Sequence, residues 1–127
     1  DTLQSIIKRN PKVPFDLPAN KKLVVLTLHR REAFARLELI CDAVRGIVDT
    51  NSDVLVVCPV HPNPNVSTVL NRKLGGHDRI WLKESLSYVD FIALMQKAYL
   101  ILSDSGGVQE EAPALGVPVL VLRHYTE

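Results

Sequence analysis

The sequence predicts an α/β fold in which a doubly wound parallel sheet carries helices on both faces. Five short apolar runs alternate along the chain with stretches whose apolar residues recur at helical spacing. The runs are continuously apolar, which is typical of strands buried on both faces. Because parallel strands need crossover connections, the alternation of the two patterns indicates a parallel sheet. Periodicity does not encode the strand order, so Rossmann-like and flavodoxin-like orders both remain open.

The predicted elements follow one another at short intervals. The apolar runs place strands at 23–28, 54–60, 80–82, 99–102 and 118–122. Helical spacing places helices at 34–48, 66–74, 91–98 and about 107–115. Ahead of the first strand, three prolines within 11–18 indicate a linker, and Leu3, Ile6 and Ile7 indicate the tail of a helix. We therefore expect residues 1–20 to form an interdomain helix tail and linker, and residues 21–127 to form one domain.

Length and composition narrow the class of protein. A chain of 127 residues fits one domain, and 46% hydrophobic with 23% charged residues is ordinary for a globular protein. A formal charge of +1 gives no reason to expect nucleic acid or an anionic membrane as a partner. No apolar run could span a bilayer and no signal-peptide pattern begins the chain, so a cytoplasmic setting is expected. Cys41 and Cys58 fall in apolar patterns, which indicates two buried reduced thiols.

Polar residues follow every predicted strand, at the edge of a parallel sheet where ligands bind. The segments are 29–32, 61–65, 83–84, 103–107 and 123–124. The fourth is the most informative, because Gly106 and Gly107 let a ligand approach the backbone and the following helix presents free amides to an anion. Ser105 can add a hydroxyl, and Glu110 and Glu111 can accept hydrogen bonds from a ribose. A tight strand-to-helix turn is the alternative explanation for the two glycines.

Other reactive residues carry weaker signals. Ser105 lacks the Gly-x-Ser-x-Gly context of a hydrolase nucleophile. His29 and Arg30 can hold a diphosphate, with a solvated basic loop as the alternative. His61 lies beside prolines and asparagines that already explain a rigid turn. The histidines, cysteines and carboxylates show no recognised zinc spacing, so no metal site is predicted.

Longer motifs point to one family. The run DSGGVQEEAP at 104–113 is followed by LGVPVL at 115–120. Together the two runs strongly resemble the signature of UDP-N-acetylglucosamine 2-epimerases. Four further stretches agree in order with that family, at 29–32, 59–66, 88–91 and 123–127. The resemblance spans nearly the whole chain.

The resemblance implies a two-domain, glycosyltransferase-B-like enzyme, of which this chain is one half, the Rossmann-like C-terminal domain that holds UDP. Family enzymes invert carbon 2 of UDP-N-acetylglucosamine by eliminating UDP and adding it back to the epimeric intermediate, without a metal or a nicotinamide cofactor. The partners implied are UDP or UDP-N-acetylglucosamine and the N-terminal domain of the same protein. A homodimer is one assembly among those that the sequence leaves open. The pathway implied is cell-envelope polysaccharide biosynthesis.

Two sets of residues match functional positions of the family. The first set implies binding of UDP through its diphosphate, ribose and uracil, and it includes a catalytic histidine, His29. The second set implies an activator site, which in the bacterial non-hydrolysing branch binds a second UDP-N-acetylglucosamine. The UDP set is His29, Ser105, Gly106 and Gly107 at the diphosphate, Glu111 at the ribose and Phe91 at the uracil, and the activator set is Arg30 and His61.

Departures from the family pattern bear on the site. The first loop continues Ala33, Phe34, Ala35 where the family usually has asparagine and glycine, and Ser85 stands where proline is usual. The sequence ends before an expected arginine and final helix, so weakened UDP binding is expected. A non-catalytic nucleotide-sugar-binding module and the donor-binding half of a glycosyltransferase stay open as alternatives.

Overall fold

Helices and strands alternate along the chain as predicted. The computed structural model describes residues 2–28, 34–60, 64–84, 86–103 and 114–121. The helices assigned there are α1 (Thr2–Lys8), α2 (Phe34–Thr50), α3 (Pro64–Leu74) and α4 (Tyr88–Gln96). The strands are β1 (Lys22–Thr27), β2 (Val54–Pro59), β3 (Ile80–Lys83), β4 (Leu100–Ser103) and β5 (Val119–Val121). The predicted helix at 107–115 lies mostly outside the described residues.

The five strands form one parallel sheet in the order β3-β2-β1-β4-β5. This is the Rossmann-like order, which the periodicity of the sequence had left open. From the central strand β1 the chain first builds outward through β2 and β3, and it then returns to the other side of β1 with β4. The order therefore reverses between β1 and β4, and such a switch point is where doubly wound sheets bind their ligands.

Helices α2 and α3 cover one face of the sheet. Helix α2 contributes Leu37, Cys41, Val44 and Val48 to a core cluster that includes alternate side chains of β1 and β2. All four lie on one side of the helix, because they recur at intervals of three or four residues. Burying this stripe packs α2 against β1 and β2.

Helix α1 and the segment 13–17 cover the opposite face together with α4. Ile6 of α1 is only 2% exposed, and it belongs to the core cluster that contains Ile92 and Met95 of α4. Helix α1 ends where Asn10 takes a φ of 50°, a left-handed conformation that asparagine tolerates. Beyond it, Val13, Phe15 and Leu17 pack against the same cluster. The proline-containing segment 11–18 thus runs in contact with the sheet layer.

The two cysteines are buried free thiols, as predicted. Burial raises the pKa of Cys58 to about 12 and, despite the opposing charge of Lys73, that of Cys41 to about 11. Both groups are therefore protonated thiols at neutral pH and act as apolar core residues.

None of the helices in the described ranges is both long enough and apolar enough to cross a bilayer.

Candidate functional site

The switch point of the sheet lies between the carboxyl ends of β1 and β4. These strands are paired in register from Val24 with Leu100 to Thr27 with Ser103. Two motifs singled out in the sequence follow directly, since 29–32 continues from β1 and 104–107 continues from β4. The fold therefore brings the strand ends that precede the two motifs to adjacent positions at one edge of the sheet.

A buried hydrogen bond joins the two strands at this edge. The Thr27 hydroxyl donates to the Ser103 Oγ across 2.7 Å, and the two residues are 2% and 0% exposed. They are also the buried polar residues among the described core positions, which are otherwise apolar. A hydrogen bond in such surroundings is directional and unscreened by water. It joins the side chains at the paired strand ends that precede the two motifs.

Phe91 is the predicted site residue whose side chain the structure describes. It lies in the first turn of α4, and its backbone N–H donates to the Ser87 carbonyl oxygen across 2.9 Å. Its ring is half-buried and packs against the core cluster beneath α4. Because a helix that follows a parallel strand begins at the carboxyl edge, Phe91 lies toward the same edge as the switch point.

The other predicted site residues lie outside the described part of the chain, and their roles stay predictions. In order these are His29, Arg30, His61, Ser105, Gly106, Gly107 and Glu111.

The start of α4 is fixed by an N-cap. Ser87 has extended backbone, and its hydroxyl accepts a hydrogen bond from the Asp90 N–H across 3.1 Å. Asp90 also places a carboxylate in the first turn, where it interacts favourably with the free amides. Together the cap and the carboxylate hold the turn that carries Phe91.

An aromatic and lysine cluster at the carboxyl end of β3 was not predicted. Lys83 Nζ lies 4.5 Å from the ring centroid of Phe15 and 5.3 Å from that of Trp81. The two rings meet edge to face, with their centroids 6.3 Å apart. The contact joins the segment before β1 to the third strand, so only the tertiary fold could reveal it.

His77 is held by hydrogen bonds in a loop. Its Nδ1 accepts from the Arg79 N–H across 3.0 Å, so its Nε2 carries the proton that faces the Asp49 carboxylate at 2.9 Å.

Among the described residues, no group of three histidines, cysteines or carboxylates could hold a metal ion.

Comparison with known proteins identifies the family. The family model for UDP-N-acetylglucosamine 2-epimerase matches residues 2–127. A curated UDP-N-acetylglucosamine 2-epimerase from Salmonella typhimurium is 51% identical over 128 aligned residues, which are 100% of this chain and 33% of the relative. The chain thus spans about a third of the length of the curated relatives it matches.

Solved structures agree with the sequence comparison. MnaA of S. aureus, solved with UDP, is 42% identical with a TM-score of 0.84, over 97% of this chain and 35% of that one. The UDP-GlcNAc 2-epimerase of Neisseria meningitidis, bound to UDP-GlcNAc, is 38% identical with a TM-score of 0.82, over 98% and 34%. An E. coli heptosyltransferase, 16% identical with a TM-score of 0.66 over 98% and 37%, shares the fold alone.

The fold and the sequence are therefore similar, over nearly the whole chain, to those of proteins of one family. On the match across residues 2–127, this chain belongs to the UDP-N-acetylglucosamine 2-epimerase family.

Proposed function

We propose that this chain is the UDP-binding domain of an isomerase that interconverts UDP-N-acetylglucosamine and UDP-N-acetylmannosamine. One observation carries the proposal. The sheet order puts the switch point between β1 and β4, the two strands that lead into the family motifs at 29–32 and 104–113. Relatives solved with UDP and with UDP-GlcNAc support the ligand.

The proposed reaction separates the sugar from UDP and rejoins them. A base removes the proton from carbon 2 while the bond between carbon 1 and the diphosphate oxygen breaks, and UDP leaves with the bonding electrons. The resulting 2-acetamidoglucal is protonated at carbon 2 from its other face as UDP returns to carbon 1. The charge that develops on the departing diphosphate is what this domain has to stabilise.

We assign the diphosphate to the loop that follows β4. The Ser105 hydroxyl would donate to a phosphate oxygen, and the backbone of Gly106 and Gly107 would approach the diphosphate closely. His29, which follows β1, would contact the diphosphate from the other side of the switch point as a catalytic residue, while the base at carbon 2 comes from the rest of the enzyme. Because β1 and β4 are adjacent, both segments start within reach of one ligand.

The remaining assignments follow the shape of UDP. Glu111 would accept hydrogen bonds from the ribose hydroxyls, and Phe91 would line the uracil pocket at the start of α4.

Arg30 and His61, after β1 and β2, would bind a second nucleotide sugar as activator. Those two strands are neighbours in the sheet, which supports a site shared by the two residues.

We propose further that residues 1–20 connect this domain to the remainder of a two-domain, glycosyltransferase-B-like enzyme. That remainder would supply the base and the other wall of the cleft. A homodimer, a cytoplasmic setting and a role in cell-envelope polysaccharide biosynthesis complete the proposal. The two buried free thiols support a reducing compartment.

Calorimetry on Ser105→Ala tests the site. A hydrogen bond to a charged group contributes about 1.5–3 kcal/mol, so UDP should bind about tenfold or more weakly. Uridine, which has no phosphate, should bind equally to both proteins, and UDP should bind more tightly than ADP. Ser52→Ala, in the loop before β2 at the opposite, amino edge of the sheet, is the matched control. Unchanged UDP affinity in a folded Ser105→Ala protein would place the phosphate site elsewhere.

A further inference from the structure

A cavity lies at the amino-terminal edge of the sheet, opposite the edge that holds the switch point. Its volume is about 520 Å³, which is within the usual range for small-molecule sites. The wall formed by the domain comes from Lys21 and Leu23 at the start of β1 and from Lys97, which caps the end of α4. The other wall is the segment 10–19, which continues from this edge over the face of the sheet to the Phe15 contact with β3.

The charge around this amino-edge cavity is positive. Three lysines, Lys12, Lys21 and Lys97, line it against a single carboxylate, that of Asp16. The Lys21 ammonium is anchored, because it donates to the Ser52 carbonyl oxygen across 2.8 Å. Lys12 and Lys97 form no ion pair in the part of the chain that the structure describes. Lys12 and Lys97 are also exposed, so the lining carries two lysines without an ion pair that an anion could meet.

Part of the cavity wall is apolar. Val13, Phe15 and Leu17 line one side while packing on the core beneath α4, and Leu23, 6% exposed, lies at the strand end. This combination does not suit a bare inorganic ion, which would fill little of the volume and gain nothing from the apolar walls. It suits an anion with an apolar body, whose charge meets the lysines as its body covers the aliphatic side chains.

Side-chain contacts with β3 hold the middle of the segment 10–19 in place. Phe15 meets Trp81 edge to face, and Lys83 lies over both rings. These contacts pin the middle of the segment to β3, while the Asn10 turn sets its start. A ligand would therefore find a formed cavity and would add a further tie between this segment and the sheet.

We propose that the amino-edge cavity binds a small organic phosphate, a phosphate group carried on an apolar ring or chain, separately from the nucleotide site. Lys12 and Lys97 contact the phosphate, Lys21 adds its positive charge, and the apolar side chains of 13–17 and Leu23 contact the body. Binding tethers the segment that precedes β1 to the amino edge of the sheet.

Phenyl phosphate is a probe with both features, and NMR of the labelled 127-residue chain shows where it binds. We expect saturable millimolar binding, with amide shifts at 12–19, Leu23 and Lys97 and none in the first turn of α4. Inorganic phosphate lacks the ring and phenol lacks the charge, so each should bind at least threefold more weakly. No saturation by about 10 mM phenyl phosphate, or shifts confined to Phe91 and the carboxyl edge, would overturn the proposal.

Charge variants distinguish binding in the cavity from a general effect of the chain's net charge. Lys12→Gln and Lys97→Gln should each weaken phenyl phosphate binding about two- to fivefold, the range of an exposed ion pair, and together more. Lys73→Gln removes the same charge from α3, on the other face of the sheet, and should leave binding unchanged. Equal effects of all three variants would contradict the proposal. Both lysines are exposed, so the variants should keep the unfolding midpoint of the parent chain.

Discussion

At the scale of single residues, the hydroxyl pair of Thr27 and Ser103 is the polar contact that the core retains at the switch point. Thr27→Val keeps the shape of the side chain but removes the donor of the 2.7 Å hydrogen bond. We expect the free energy of unfolding to fall by about 1 kcal/mol, the net contribution of one such bond. Urea unfolding followed by circular dichroism measures it.

Thr50→Val is the matched control for that substitution. The Thr50 hydroxyl donates to the Gly46 carbonyl oxygen across 2.8 Å, but it does so at the exposed end of α2. Its loss should change stability by less than about 0.5 kcal/mol. Equal effects of the two substitutions would show that burial adds nothing to the Thr27 bond.

The buried thiols give a prediction about pH. Burial raises the pKa of Cys58 from 9.0 to about 12, so its thiol stays protonated in the folded state at pH 8. Ellman's reagent should therefore react slowly with the native chain and quickly in urea. The stability tied to this thiol is present below pH 9 and is lost as pH rises toward 12, because only the unfolded state ionises there. Native and unfolded chains that react at the same rate would contradict the burial of the thiols.

The sequence revealed little of the contacts that organise the site. The Gly-rich motif could be found because its chemistry lies in consecutive residues. Thr27 and Ser103 are 76 residues apart, and each is only a small polar residue at the end of an apolar run. Nothing in a linear pattern pairs them until the sheet order is known. The contact of Lys83 with Phe15 joins a strand to a linker and was hidden for the same reason.

At the scale of elements, the N-cap of α4 decides how firmly the turn that carries Phe91 is held. Ser87→Ala removes the hydroxyl that accepts from the Asp90 N–H and should lower stability by about 1 kcal/mol. Hydrogen exchange at 88–91 should rise, since the first turn loses its cap. Ser67→Ala lies inside α3, where alanine favours the helix, and should be neutral or slightly stabilising. A Ser87→Ala chain as stable as Ser67→Ala would show that the cap contributes nothing.

Element positions were largely predictable, whereas their arrangement was not. The predicted strand at 54–60 corresponds to β2 at Val54–Pro59, because a run of β-branched apolar residues indicates a buried strand. The helix predicted at 91–98 begins earlier, at Tyr88, where Ser87 supplies a cap, and ends at Gln96. Apolar spacing marks the buried face of a helix and overlooks its polar ends. The order of the strands follows from tertiary packing alone.

At the scale of the whole molecule, the chain spans 33% of its Salmonella typhimurium relative. We expect the 127-residue chain to bind UDP but not to convert UDP-N-acetylglucosamine. The proposed reaction needs a base at carbon 2, which belongs to the other wall of the cleft. Chromatography of the sugars after incubation checks this expectation. Formation of the 2-epimer or of free N-acetylmannosamine would show that this domain alone contains the base.

A chimera tests the same proposal in the positive direction. This chain would replace the matching third of the Salmonella typhimurium protein, with which it is 51% identical. If the domain supplies the UDP site, the chimera should form the 2-epimer, and Ser105→Ala within it should lower kcat/KM about tenfold or more. Ser52→Ala within it should leave kcat/KM unchanged, because Ser52 precedes β2 at the amino edge, opposite the nucleotide site. A folded chimera that binds UDP yet forms no 2-epimer would mean that this domain does not complete the catalytic cleft.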